Sequence, residues 1–397
     1  MRTMAAATRI FPWLIFLGSG LFFALPQAGA AQGDQAATIP VVSDLPMFHD
    51  DLGYESLALA IERSVHYLRQ LPRGKTFVLC GEDYSADWLS ESLLAFQKII
   101  GEKPSPQALT AILKKEFTLC QAKGGNDDNR IFLTGYFEPL FKASMTKTAT
   151  YHYPLYRKPS DLVTTSDAKD QENKTGRLEN GAIVPYFTRA EIDKGWLLAG
   201  QELVWLADPV EAFIMHVQGS GQIRLADGSL RRVQFAAKNG HEYRSIGRLL
   251  VDRGVMRREE ATMPGIVRYL KAHPEEQEAV LHHNDSFVFF RWGDAGAVGP
   301  LGSLGEPLTP GRSVALDQDC FPPGSLAFLA SRKPKVNAAG EIIGWEPLSR
   351  FVLNQDSGSA ITGPGRLDLF WGGGSYAEAA AGNMRHLGTL YFLVKKK

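Results

Sequence analysis

Leu353-Asn354-Gln355-Asp356-Ser357-Gly358-Ser359-Ala360-Ile361-Thr362-Gly363-Pro364-Gly365-Arg366-Leu367-Asp368-Leu369-Phe370-Trp371-Gly372-Gly373-Gly374 sets two aspartates among turn formers and aromatic residues. Asp356 follows the apolar run Phe351-Val352-Leu353 and precedes Ser357-Gly358, so it stands at a strand end entering a turn. From Arg366 to Trp371 the residues alternate, with Leu367, Leu369 and Trp371 on one face and Arg366, Asp368 and Phe370 on the other. That period predicts a strand, with Asp368 on its polar side. The glycines at 372–374 predict a turn into a last helix, Ser375 to Arg385.

The same alternation and apolar runs predict strands at Ile131–Leu140, Ser286–Trp292, Ser313–Leu316 and Leu326–Leu329. Asp227-Gly228 between Gln222–Leu225 and Leu230–Ala236 is a hairpin signal. Helical spacing predicts helices at Tyr54–Gln70, Ala86–Ile100 and Ser105–Leu119, and a helical return over Tyr243–Leu281. Thr188 and Asp208 have the local sequence of helix caps, with Pro209 at a first-turn position. The segment from Lys142 to Ala182 is polar, and long loops with one short strand at Tyr153–Tyr156 are expected there. Strand signals at both ends of the chain suggest one domain made from the two ends, with a middle segment inserted.

Composition bounds the function. The 397 residues carry 43 basic and 43 acidic side chains, so nothing favours nucleic acid or an anionic membrane surface as partner. Arg2 and Arg9, an apolar run from Ile10 to Leu25 and Ala28-Gly29-Ala30 make a signal peptide pattern over 1–30, and the run is shorter than the ~20 residues of a spanning helix. An exported protein is expected, and the remaining chain suits two domains at roughly 150 residues each. Three cysteines are too few for a disulfide framework; Cys80 and Cys120 are the favoured pair if a bond forms, with buried free thiols as the alternative.

Asp356-Ser357-Gly358-Ser359 has the local pattern of an aspartic protease, which needs a second copy to share a proton, and only one is present. Gly372 to Ala377 resembles a dinucleotide fingerprint, yet no acidic residue follows Glu378 and no βαβ unit can be completed. The nine histidines show no metal-binding spacing, so neither metal nor cofactor is expected. What remains is carboxylate chemistry in an exported protein. Asp356, Asp368, Asp317 and Glu138, among Tyr136, Phe370 and Trp371, suit a glycan, on whose rings aromatic faces pack and whose glycosidic oxygen an acid protonates.

Three blocks then carry a family resemblance: Thr134-Gly135-Tyr136-Phe137-Glu138-Pro139; Val217-Gln218-Gly219-Ser220-Gly221 through Lys238-Asn239-Gly240 and Tyr243-Arg244-Ser245-Ile246-Gly247; and Ala315-Leu316-Asp317, Pro322-Pro323-Gly324, Asp356 to Gly363 and Arg366 to Phe370. With these, the chain resembles the membrane-bound lytic murein transglycosylase A family, with its C-terminal three-aspartate (3D) domain at about 312–395. The resemblance implies a mainly β fold with flanking helices: a double-psi β-barrel from 31–141 and 285–397, a smaller β-barrel inserted at 142–284, and a groove between them for the glycan. It implies cleavage of the bond between N-acetylmuramic acid and N-acetylglucosamine in peptidoglycan with formation of 1,6-anhydromuramyl ends, Asp356 acting as acid and then base. Tyr136, Glu138, Gln218, Ser220, Lys238 and Asn239 become candidate glycan contacts, and Asp317 and Asp368 shape the site or anchor turns. Peptidoglycan strands are the expected partner, with envelope proteins as further ones, and a periplasmic monomer without cofactor is expected. A non-catalytic peptidoglycan-binding protein on the same fold is the competing reading. The family's lipid anchor is in doubt, because no cysteine lies near the end of the leader.

Overall fold

The computed structural model describes residues 37–40, 45–125, 129–166, 173–293, 298–338, 340–358 and 360–397; the expected leader at 1–30 lies outside them. The sequence's apolar runs are drawn into a closed ring of six strands. His386–Lys395 pairs with Leu326–Val336, which pairs with Ile342–Asp356. Next come Ser313–Ala315 and Arg366–Gly373, then Ile131–Glu138, which pairs back onto His386–Lys395. Both ends of the chain therefore contribute to one barrel, as expected.

The barrel's core is continuous with the helices that cover it. Glu55–Gln70 buries Leu57, Ile61, Val65 and Leu68, and Ala86–Gly101 buries Leu89, Leu93 and Phe96, all in one apolar cluster with Phe328, Phe351 and Phe392 of the strands. Their apolar positions recur at helical spacing, which is why a one-sided stripe faces the sheet. Ser85 and Ser105 cap the second helix and the third, Pro106–Glu116, each accepting a backbone N–H. The third helix stops at Glu116, short of the expected Leu119, because Phe117–Ala122 becomes a strand paired with His386–Lys395. Cys120 on that strand is joined to Cys80.

A second sheet runs from Leu140 to Trp292, against the 142–284 expected for the insert. Its order is Val288–Trp292, Leu230–Lys238, Ser220–Arg224, Leu140–Ser144, Glu202–Leu206, Tyr153–Tyr156, and a bridge from Arg157 to Phe290 brings its last strand back to its first. Leu155, Leu206, Ile223, Val233 and Phe290 fill it. The caps at Thr188 and Asp208 form, the latter starting Pro209–Gln218.

The polar stretch expected as loops holds more structure. Leu162–Ser166, Asn173–Glu179 and Ala182–Pro185 form a three-stranded antiparallel sheet. Its second turn is Asn180-Gly181, with φ of 51° and 80°, the left-handed pair that a tight hairpin requires. That dipeptide was the available signal.

Candidate active site

The two aspartates of the opening stretch meet through a third strand. Ala315 pairs with Asp356 on one side and with Asp368 on the other, and Asp368 in turn pairs with Thr134. Four strands thus place Asp356, Ala315, Asp368 and Thr134 in one row. Both faces of Arg366–Gly373 are covered, so Asp368 is wholly buried, whereas alternation alone put it on a polar side. Thr134 Oγ1 donates to its Oδ1 at 2.9 Å.

Asp356 is 0% exposed at the end of its strand. Tyr136 Oη donates to its Oδ2 at 2.6 Å. The backbone N–H groups of Ser303 and Ser357 both donate to Oδ1 at 2.9 Å. Burial pushes this carboxyl up to about 7, with the neighbouring Asp368 adding to the effect and the three hydrogen bonds opposing it. Removal from water disfavours the charged form more than three donors restore it. Tyr136, buried beside the same carboxylate, has its hydroxyl pushed well above its ordinary range. Its ring packs against Phe370, its register partner, at 5.2 Å between centroids, with Leu308 completing the cluster.

Around this pair lies a polar scaffold. Gln355 Nε2 donates to Ala60 O at 2.7 Å and Ser64 Oγ at 3.0 Å on the first helix, and Ser313 Oγ donates to Gln355 Oε1 at 2.6 Å. Thr309 N donates to Ser313 Oγ at 2.8 Å, and Arg63 Nη1 donates to Thr309 Oγ1 at 2.7 Å. The segment that supplies the Ser303 amide is therefore tied to the strand that ends in Asp356. Gln318 Nε2 holds the Ser303 hydroxyl at 2.7 Å.

The other candidates divide into distinct roles. Asp317 accepts the Gly363 N–H at 2.6 Å and the Asp319 N–H at 3.0 Å, joining two turns as an anchor. Glu138 is buried and ion-paired with Arg232, and Gln222 Nε2 donates to it at 2.9 Å, so its carboxylate binds the inserted sheet to the barrel. Gln218, at the end of Pro209–Gln218, is buried and accepts the Phe137 N–H at 3.4 Å, a second link between the two. Ser220 begins the next strand and is buried. Asn239 gives its amide to Phe187 O at 2.8 Å and Asp285 O at 2.9 Å and accepts from the Phe287 N–H at 2.9 Å, which leaves it an internal brace. Lys238 is half-buried, and loss of solvent brings its ammonium down to about 8. Ser303, Gln318 and Gln355 were not singled out from sequence. No group of three metal-ligating side chains occurs among the described residues.

Comparison with known proteins fits this geometry. Residues 132–291 match the model of the MltA specific insert domain, and residues 312–394 match the 3D domain. Membrane-bound lytic murein transglycosylase A of Escherichia coli K12 is 34% identical over 275 residues, 69% of this chain and 68% of that protein. The Vibrio cholerae protein of the same name is 33% identical over 276 residues, 69% of this chain and 68% of its own length. The crystal structure of membrane-bound lytic murein transglycosylase from Agrobacterium tumefaciens superposes with a TM-score of 0.70 at 30% identity, covering 87% of this chain and 93% of that one. Escherichia coli MltA with bound chitohexaose gives a TM-score of 0.68 at 27% identity over 92% and 98% of the two chains. The matched blocks include the strands that carry Tyr136, Asp356 and Asp368, and the chain belongs to the membrane-bound lytic murein transglycosylase A family.

Proposed function

We propose that this protein is a lytic transglycosylase that cuts the bond between N-acetylmuramic acid and N-acetylglucosamine in peptidoglycan, with Asp356 as its single acid and base. The observation that supports it best is the burial of Asp356, with its carboxyl brought to about 7 and held by Tyr136 and two backbone amides. A carboxyl poised there is neutral often enough to give a proton and basic enough to take one back. Oδ1 is occupied by two N–H donors, which leaves Oδ2, with one partner, to carry the transferable proton.

The steps follow from that placement. Asp356 protonates the glycosidic oxygen as the bond from the muramyl anomeric carbon breaks, and N-acetylglucosamine leaves with a free 4-hydroxyl. The carboxylate then takes the proton of the muramyl 6-hydroxyl as that oxygen closes onto the anomeric carbon. Asp356 is neutral again, and no water is consumed. The attacking hydroxyl belongs to the same sugar, so its effective concentration replaces the second carboxylate that activates water in hydrolases. Tyr136 stabilises the carboxylate between the steps.

We place the glycan in the groove between the barrel and the insert, domains that we set at 31–139 with 293–397 and at 140–292, where the inserted sheet begins and ends. Lys238, Gln218 and Ser220 are its candidate contacts, while Glu138, Asp317 and Asp368 hold the walls. The family's substrate and the leader pattern support a periplasmic location. No helix among the described residues is long and apolar enough to cross a membrane.

Digestion of purified sacculi with mass spectrometry of the released fragments tests the reading. Anhydromuramyl ends are expected; reducing ends indicate a hydrolase, and absence of release indicates a binding protein.

The acid must be protonated to begin, so kcat/KM is expected to fall as pH rises through about 7. Tyr136→Phe removes a donor that favours the ionised form and therefore raises the acid's affinity for its proton. The alkaline limb of the profile should move up by roughly one pH unit. A limb that stays in place, or moves down, contradicts the role given to Tyr136.

A further inference from the structure

The strand that carries Tyr136 does not end at the barrel. After Pro139 it continues as Leu140–Ser144 of the inserted sheet, where Lys142 pairs in register with Arg224. Register partners share a face, so the two cations stand side by side on the outside of the sheet, and both are exposed. Ser144, on the same face two residues on, pairs with Trp205, over whose ring the Lys147 ammonium sits at 5.4 Å. Leu140 and Leu230, exposed register neighbours of Gln222 and Arg224, complete the patch.

Three cations around a tryptophan form a cluster of one sign. No carboxylate is ion-paired with Lys142, Arg224 or Lys147 among the described residues. Asp227, in the hairpin turn beyond Arg224, is engaged by the Ser229 N–H at 2.9 Å and hydroxyl at 2.6 Å. Glu138, at the inner end of this face, is ion-paired with Arg232. The patch therefore offers cationic donors with no ion-paired counter-charge, and Lys142 lies at most about 20 Å along the strand from Tyr136.

We infer that Lys142, Arg224 and Lys147, with Trp205, form a docking surface for the anionic peptide stems that the muramyl residues of the same strand carry. The inference rests on the glycan-strand reading. A neutral sugar chain gives these cations nothing to pair with, whereas the stems present free carboxylates at intervals along the glycan. The patch is continuous with the strand of Tyr136, so a strand cut at Asp356 need extend only a short way to bring a stem to Lys142.

The test compares intact sacculi with a stem-free glycan that carries no carboxylate, a soluble chitooligosaccharide, because hydrolysis of the stems from sacculi would leave a lactyl carboxylate on each muramyl residue. For Lys142→Gln with Arg224→Gln, half-maximal binding to intact sacculi should need about ten-fold more substrate, and binding to the stem-free glycan should match the native protein. Lys142→Arg with Arg224→Lys, which keeps the charges, should bind intact sacculi as the native protein does. Unchanged binding of the neutralised variant, or an equal loss on stem-free glycan, overturns the inference. Anhydromuramyl ends made by the native protein are measured separately, so failure of the cleavage reading is told apart from failure of the patch.

Discussion

Asp356→Asn should abolish cleavage, with a loss of at least about 10³-fold in kcat, while binding to sacculi persists. The substitution fits the site: the amide oxygen can accept the Ser303 and Ser357 N–H groups, and the amide nitrogen can face the Tyr136 oxygen. It cannot give or take a proton in either step. Stability supplies the control. The folded-state carboxyl lies above its unfolded range, so its neutral form contributes stability that is complete below about 4 and is lost as pH rises through about 7. The neutral asparagine carries no such loss, and the variant should melt no lower than the native protein at pH 8. Cleavage by Asp356→Asn at more than a tenth of the native rate, or a melting point well below native, rules out the assignment.

Arg312→Leu should cost about 3–5 kcal/mol of unfolding free energy, measured by denaturant titration. Its side chain is 0% exposed and that of Asp50 is 1% exposed, and the two are bidentate at 2.6 and 2.8 Å. Arg312 also donates to Ser56 Oγ at 3.0 Å and to Phe351 O at 2.9 Å. Removing it leaves the Asp50 carboxylate without a counter-charge away from water. Taking away both charges, in Asp50→Leu with Arg312→Leu, should recover part of the loss, because a buried pair gains little over well-packed apolar groups. A loss below about 1 kcal/mol in the single variant refutes this account. Arg312 also precedes Ser313–Ala315, the strand between the two aspartates, so the pair anchors the start of that strand.

Local pattern revealed much of this. The alternation from Arg366 and the apolar run before Asp356 located both strands, because a period of two is set by neighbouring residues. The row Asp356, Ala315, Asp368 was not visible, since it depends on register between strands far apart in the chain. Ser303 escaped for another reason: it acts through its backbone N–H, which every residue except proline has. Asn239 looked like a polar contact for a ligand, yet a buried turn must satisfy its own carbonyls and amides, and the side chain is used for that. Glu138 was legible as a carboxylate but its partner, Arg232, lies 94 residues away.

The strand that passes through Pro139 has a mechanical consequence. Ile131–Glu138 and Leu140–Ser144 are separated by one residue, whose carbonyl accepts the Gln222 N–H at 2.7 Å, and Glu138 is clamped by Arg232 beside it. Swinging the two lobes apart means bending a paired β-strand at a proline rather than turning a loop. A paired strand and a buried ion pair thus join the two sheets here, and both resist a change in the angle between them.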